Sequence, residues 1–120
     1  MNTPILPPTM APPAANYVHA MLSTDARRIL HTSGVVPTAP DGTTPTDIAE
    51  QAAVVWRNID ALLTEADMSM SNIVSITTYV VVDHLASLGL VMAARDAAMS
   101  GHRAASTLVS WSRLTAPGFA

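Results

Sequence analysis

The residues of this chain that could do chemistry concentrate near its C-terminal end. Ser106 and Thr107 form a hydroxyl pair that could hydrogen-bond a substrate, although serine and threonine in strands usually satisfy local polar groups. Ser106 is a weaker candidate for a nucleophile, because no base and orienting group lie at a recognisable spacing. His102 and Arg103 could together form a cationic rim around an anionic ligand, although exposed loop charges are commoner. Ligand binding is therefore better supported here than covalent catalysis.

Earlier candidates are fewer. Tyr17 lies on a predicted strand and is either a half-buried packing residue or a ligand contact. Gly34 marks a backbone bend or bulge, a ligand contact, or both. The histidines show no His-x-x-x-His or comparable ligand spacing, and they stand at positions 19, 31, 84 and 102. Even a facing His19 and His31 would supply only two ligands, so we expect no metal site.

Composition excludes several classes of function. The chain has 120 residues and a net charge of −3, and its six basic residues are scattered arginines, which disfavours nucleic-acid binding. Cysteine is absent, which excludes disulfides, thiolate nucleophiles and thiolate metal sites. The longest apolar runs fall far short of the ~20 residues that span a membrane. No signal peptide is recognisable at the N-terminus, so we expect a cytoplasmic protein without membrane contact.

The first part of the chain predicts an arm followed by a hairpin. Residues 1–15 contain five prolines and predict an extended or loosely ordered arm. A single domain is expected over residues 16–120. The runs 16–22 and 28–35 flank a short polar stretch and predict two paired strands. If Leu22 pairs with Arg28, His19 faces His31. Residues 36–45 are rich in proline and predict a loop.

The remainder predicts alternating helices and strands. Thr44 as N-cap, Pro45 and Asp47 indicate a helix over 45–66, with an apolar stripe at steps of three and four residues. Asp47 and Glu50 are explained by the helix dipole rather than by acid–base chemistry. Strands are predicted over 72–82 and 106–114, with a second helix over 86–99. This order predicts an α+β domain with a small mixed sheet, both helices on one face, and an uncovered face that needs a partner.

Four stretches, in this order and spacing, resemble the reactive intermediate deaminase family (Rid or YjgF, also called endoribonuclease L-PSP-like). They are PAANYVHA at 13–20, LHTSGVVP at 30–37, DIAEQ and RNIDALL within 47–63, and NIVSITTYV at 72–80. The resemblance covers about residues 11–119. It implies a homotrimer whose three sheets form a central barrel, with a cleft at each subunit interface. Active members hydrolyse small 2-imino or enamine acids to 2-keto acids and ammonia without a cofactor.

The resemblance also implies site residues. The cleft tyrosine of the family matches Tyr17, and the Thr-Ser-Gly segment, whose main chain helps to fix the substrate, matches 32–34 and so includes Ser33 and Gly34. The family's carboxylate-binding arginine falls on Ser106, which precedes Thr107. Arg103 lies three residues upstream, and such an odd offset along a strand points its side chain to the opposite face unless the chain bends.

Other departures from the family concern an asparagine and a glutamate. The family's asparagine aligns with Leu90 or Val91 of this chain. Its glutamate would lie beyond Ala120, because we expect the chain to end before the family's last strand. We therefore expect a deaminase-like hydrolase of altered specificity, with a small ligand that is a carboxylate. The alternative is a trimeric protein of the same fold that binds a metabolite or a partner protein without turnover. Ribonuclease activity has no support in this acidic, lysine-free chain.

Overall fold

The computed structural model describes residues 1–81 and 86–111, without the side chain of Trp111. Its elements are β1 (Asn2–Ile5), β2 (Ala20–Ser23), α1 (Ile48–Glu65), a 3₁₀ turn (Met70–Asn72), β3 (Ser75–Val81), α2 (Leu88–Met99) and β4 (Ala105–Trp111). The expected α+β class is confirmed. None of the described helices is long and apolar enough to cross a membrane.

The four strands form two pairs. β1 and β2 are antiparallel, whereas β3 and β4 are parallel over seven residue pairs, from Ser75 opposite Ala105 to Val81 opposite Trp111. A single parallel bridge between Val18 and Ala105 joins the two pairs, and the Val18 N–H donates to the carbonyl of Ala104 at 3.1 Å. The bridge places the segment before β2 against the start of β4.

The predicted hairpin between residues 16–22 and 28–35 is wrong. Leu22 pairs with Thr3 in β1, and residues 28–35 contain no strand. Pro4 is compatible with β1 because, among the described strands, β1 pairs only with β2, and proline is tolerated at a sheet edge. Since Leu22 does not pair with Arg28, the condition for His19 to face His31 fails. His19 instead contacts the carbonyl of Ala11 through Nε2 at 2.7 Å.

Helix α1 begins one turn later than predicted. Asp47, not Thr44, is the N-cap, and its carboxylate accepts the backbone N–H of Glu50 at 3.1 Å. Pro45 precedes the helix, and its carbonyl accepts the side-chain amide of Gln51 at 2.8 Å. Helix α1 buries Gln51, Val54 and Leu63. It packs within a small apolar core whose other members are Val18, Val80, Val81, Met99 and Ala104.

Helix α2 leads directly into the C-terminal strand. It begins at Leu88, two residues after the predicted start, and Gly89 therefore falls in its first turn rather than its interior. Ser100 and Gly101 follow with φ of 49° and 88°, a left-handed turn that ends the helix. β4 begins at Ala105, and the predicted residues 112–114 of this strand lie outside the described residues.

Two side chains hold the 28–38 segment against α1. The guanidinium of Arg28 donates to the carbonyls of Ala66 at 2.6 Å and Asp67 at 3.3 Å, at the C-terminal end of the helix. The side-chain amide of Asn58 donates to the carbonyls of Val36 at 3.2 Å and Thr38 at 3.0 Å. A positive charge is favourable at a helix C-terminus. These contacts, which we call the α1 clamp, fix both ends of a segment that lacks regular structure.

Replacing Asp47 tests where α1 begins. We expect Asp47→Ala to lower the free energy of unfolding by about 1 kcal/mol, because the Glu50 amide loses its acceptor. Asp47→Ser should retain most of the stability. Denaturant unfolding followed by circular dichroism measures both changes. A larger loss in the control Thr44→Ala than in Asp47→Ala would contradict this assignment of the N-cap.

The α1 clamp can be tested through Asn58. Asn58→Ala removes both hydrogen bonds to the 36–38 carbonyls, and we expect the segment to open locally about tenfold more often. Limited proteolysis should then cleave residues 29–37 faster, as mapped by mass spectrometry. Arg57→Ala is the matched control, since Arg57 is exposed on the same helix. Equal cleavage rates in the two variants would show that Asn58 does not hold the segment.

Candidate functional site

Ser33 and Gly34 lie at a cavity between the 28–38 segment and α1. The cavity has a volume of about 540 Å³, and residues 30–36, Thr38, Asn58, Ala61, Leu62 and Glu65 line it. We call it the Ser33 cavity. The α1 clamp holds the outer wall, because Asn58 binds the carbonyls of Val36 and Thr38. The structure thus places the predicted Thr-Ser-Gly segment at an open, largely apolar pocket.

Gly34 is not required by packing within the subunit. A Cβ added to Gly34 would meet no heavy atom of residues 1–81 and 86–111 within 4 Å. Its φ lies outside the left-handed range in which glycine is favoured, since the described glycines with positive φ are Gly42 and Gly101. Neither a tight turn nor a close approach by another described part of the chain therefore explains this glycine.

Tyr17 lies in a turn that precedes β2. Its ring is half-buried and meets the ring of His19 edge to face, with centroids 6.1 Å apart and an interplanar angle of 76°. Because His19 Nε2 contacts the carbonyl of Ala11, which can only accept, that nitrogen carries a proton. The Tyr17 amide donates to Ala15 at 2.9 Å. Local contacts therefore orient the tyrosine.

Arg103 lies beside this turn. One terminal nitrogen of its guanidinium is 3.5 Å from the carbonyl of Ala15, at the limit for a hydrogen bond. Its Nε is buried, and no acceptor among the described residues reaches it. Arg103 lines a second cavity of about 430 Å³. We call this the Arg103 cavity, and its lining is Asn2, Pro4, Leu6, Val18, Met21, Ser71 and residues 101–103.

Ser106 and Thr107 present their hydroxyls to opposite faces of the sheet. They are consecutive residues of β4, opposite Ile76 and Thr77 of β3. Ser106 is half-buried, whereas Thr107 is exposed on the face that also carries Thr77 and Tyr79. A ligand on one face of the sheet can therefore contact only one of the two hydroxyls directly.

Within one subunit the predicted site residues form separate groups. Ser33 and Gly34 line the Ser33 cavity, Arg103 lines the other, and the two cavities share no lining residue. Tyr17 lies near Arg103 through Ala15. Sequence reasoning did not select Asn58 and Glu65 as lining residues, because only the packing of the irregular 30–38 segment on α1 brings them to the cavity.

The charged and titratable residues described next do not add a catalytic or metal-binding group to the predicted site residues. Among residues 1–81 and 86–111, no cluster of three histidine, aspartate or glutamate side chains could hold a metal ion. The Thr43 hydroxyl and backbone N–H donate to Asp41 and lower the pKa of its carboxyl, in the loop before α1. Arg95 is buried and paired with Asp96 at 3.0 Å. His84 lies outside the described residues.

The amino-acid sequence matches one family profile and a curated yeast protein. The sequence profile of the family described as Endoribonuclease L-PSP matches residues 8–120. The curated relative Protein MMF1, mitochondrial, from Saccharomyces cerevisiae, is 32% identical over 78 residues. This alignment covers 64% of this chain and 52% of MMF1, so the chain spans about half the length of that relative.

Solved structures share the fold. A protein of unknown function of the conserved Rid protein family, YyfB from Yersinia pestis, superposes with a TM-score of 0.88 at 27% identity, covering 98% of this chain and 91% of YyfB. Yeast Mmf1 superposes with a TM-score of 0.63 at 26% identity, covering 96% of this chain and 89% of the Mmf1 chain. The structure of E. coli TdcF with bound serine superposes with a TM-score of 0.66 at 22% identity, covering 95% of this chain and 85% of the TdcF chain.

The profile match runs from Pro8 to Ala120, and the Rid-family protein YyfB has the same fold over almost the whole chain. This chain therefore belongs to the endoribonuclease L-PSP family, which is the Rid or YjgF family.

Proposed function

We propose that this protein is a deaminase-like hydrolase that acts on a small imine or enamine, of the 2-imino acid type, in clefts between the subunits of a homotrimer. The observation that carries the proposal is the family match over residues 8–120. Further support comes from a protein of the same fold, E. coli TdcF, which holds a bound serine. Serine is a small amino acid and resembles the proposed substrates in size and in its carboxylate.

The exposed sheet face supports assembly. Tyr79 is 52% exposed, and Thr77 and Thr107 beside it are exposed as well. Since these side chains are exposed, neither α1 nor α2, the helices longer than one turn in the described residues, covers this face. In the proposed trimer these faces form the central barrel, and the sites lie between neighbouring copies.

The proposed chemistry is the addition of water to a C=N bond. Water oxygen bonds to the imine carbon while the nitrogen gains a proton, giving a carbinolamine. The C–N bond then breaks while the hydroxyl proton passes to the nitrogen, so that a keto acid and ammonia are released. An enamine reaches the same path after protonation at carbon. The reaction consumes only water, so the proposal includes no cofactor.

Each proposed site residue has a role that fits this chemistry. Tyr17 lines the cleft, and the main chain at Ser33 and Gly34 helps to fix the substrate. Ser106 and Thr107 offer hydroxyl groups, while Arg103 supplies positive charge for a carboxylate. Since these residues form separate groups within one subunit, the proposal depends on neighbouring subunits to complete each site.

A second candidate function is binding without turnover. It is favoured by one residue, Ser106, which stands where the resemblance places the carboxylate-binding arginine. A serine hydroxyl cannot replace a bidentate ion pair. In this alternative the trimer binds a small metabolite or a partner protein.

Location and domain organisation are also part of the proposal. We place the protein in the cytoplasm, whereas its relative MMF1 is named as mitochondrial in yeast. We treat residues 16–120 as the domain and residues 1–15 as an arm, of which Asn2–Ile5 adds strand β1.

Turnover is tested with 2-iminobutanoate or 2-aminoacrylate generated in situ, by measuring keto-acid release above the buffer rate. We expect release by the natural protein, and about tenfold higher kcat/KM in Ser106→Arg, because a guanidinium restores the ion pair with the carboxylate. Ser110→Arg is the matched control on the same face of β4. Release by Ser106→Arg alone would reject turnover of these substrates by the natural protein and favour binding without turnover.

Assembly is tested by sedimentation equilibrium at micromolar concentration. We expect a species of three times the 12.6 kDa subunit mass. Tyr79→Glu should shift it towards single subunits, because the barrel would bury an unpaired charge. Thr64→Glu on an exposed position of α1 is the control. A well-folded single subunit of the natural protein would contradict both the trimer and the proposed clefts.

A further inference from the structure

We propose that the Arg103 cavity is a binding site for a small organic carboxylate, contained within one subunit and walled by the N-terminal strand. The inference rests on the proposed function only in taking Arg103 as its carboxylate-binding group. It places that group in a cavity apart from the Ser33 cavity and from the position of Ser106. Binding here needs neither turnover nor a neighbouring subunit.

Among the described residues, the charge of Arg103 has no counter-ion. Arg103 is partly buried, and no aspartate or glutamate among the described residues lies within 4 Å of its side chain. Its Nε–H is buried without an acceptor, and its contact with the Ala15 carbonyl is long. Shielded charges in proteins are normally paired, since losing hydration without compensation is costly. An anion beside this guanidinium would supply the missing partner.

The cavity selects for negative charge. Arg103 is the one arginine or lysine in its lining, and no lining residue is acidic. The remaining polar lining groups are the side chains of Asn2, Ser71 and His102. A cationic ligand would be repelled by Arg103, and a neutral ligand would leave the guanidinium uncompensated.

The position of Arg103 is set before a ligand arrives. The left-handed turn at Ser100 and Gly101 directs the chain away from α2. The amide of His102 donates to Met99 at 2.9 Å, and its ring Nε2 contacts the carbonyl of Ile73 at 2.7 Å. These contacts fix the main chain next to Arg103, so less backbone ordering is needed when the side chain binds an anion.

The rest of the lining is apolar and determines the size of the ligand. Pro4 and Leu6 come from the N-terminal strand and the residue after it, while Val18 and Met21 face them from the β2 side. These side chains can receive a short aliphatic chain, and a cavity of about 430 Å³ lies within the range of small-molecule sites. A carboxylate with about three or four carbon atoms satisfies both the charge and the apolar wall.

The test is a titration of the isotope-labelled protein with butanoate, followed by NMR. We expect a dissociation constant on the order of 1 mM, as ligands of this size allow. Amide signals of Met21, Gly101 and Arg103 should shift, while those of Ser33 and Gly34 stay in place. Neutral butanamide and inorganic phosphate should bind at least about tenfold more weakly, because one lacks the charge and the other the chain.

Variants separate the site from general charge effects. Arg103→Gln should weaken butanoate binding about tenfold or more, whereas Arg57→Gln, an exposed arginine on α1, should leave it unchanged. Met21→Ala should reduce the preference for butanoate over acetate, since it shortens the apolar wall. Circular dichroism and melting curves establish that each variant is folded. Arg103→Lys should retain part of the affinity.

The outcomes distinguish this site from the proposed function. Undiminished binding of butanoate by folded Arg103→Gln, or shifts at Ser33 and Gly34 without shifts at Gly101 and Arg103, would overturn the site even if imine turnover occurs. Butanoate binding that depends on Arg103, in a protein without turnover, would support the site and reject the hydrolase.

Discussion

The structure depends on one backbone contact between its two strand pairs. The Val18 amide donates to the Ala104 carbonyl at 3.1 Å, and both residues are almost fully buried. Without this bridge, β1 and β2 would have no ladder connection to β3 and β4 in the described residues. The same bridge brings the turn that carries Tyr17 beside the segment that carries Arg103. Fold and candidate site therefore share a single structural junction.

Local sequence pattern was sufficient for the helices and for the strands β3 and β4, although it did not predict that these two strands pair in parallel. The apolar periodicity of α1 and the β-branched run of β3 are encoded within short windows, and both elements formed close to their predicted bounds. The N-cap was misplaced because Thr44 and Asp47 are both good capping residues, and only the contact with the Glu50 amide decides between them. The hairpin failed for another reason, since the partner of β2 lies in a proline-containing segment far upstream.

The residues of the candidate site also fall into those that a local motif indicates and those that only long-range contacts reveal. Ser33 and Gly34 were selected because consecutive residues carry the motif, and their role in binding stays a prediction. The contributions of Arg28 and Asn58 were not recognisable, because each acts on a carbonyl that is distant in sequence. Backbone acceptors carry no side-chain signature, so a sequence cannot indicate which carbonyl an amide or a guanidinium will reach. Packing alone reveals that the Ser33 segment is held against α1.

The location of positive charge distinguishes this chain from what the family resemblance implies. An arginine within β4 at position 106 would be fixed to one face of the sheet by strand alternation. Arg103 instead precedes the strand, where the left-handed turn at Ser100 and Gly101 frees it from that alternation. Its guanidinium is therefore able to face the wall formed by β1 and β2. In our proposal, this difference of three residues along the chain places the cation, and the carboxylate that it would hold, at the Arg103 cavity.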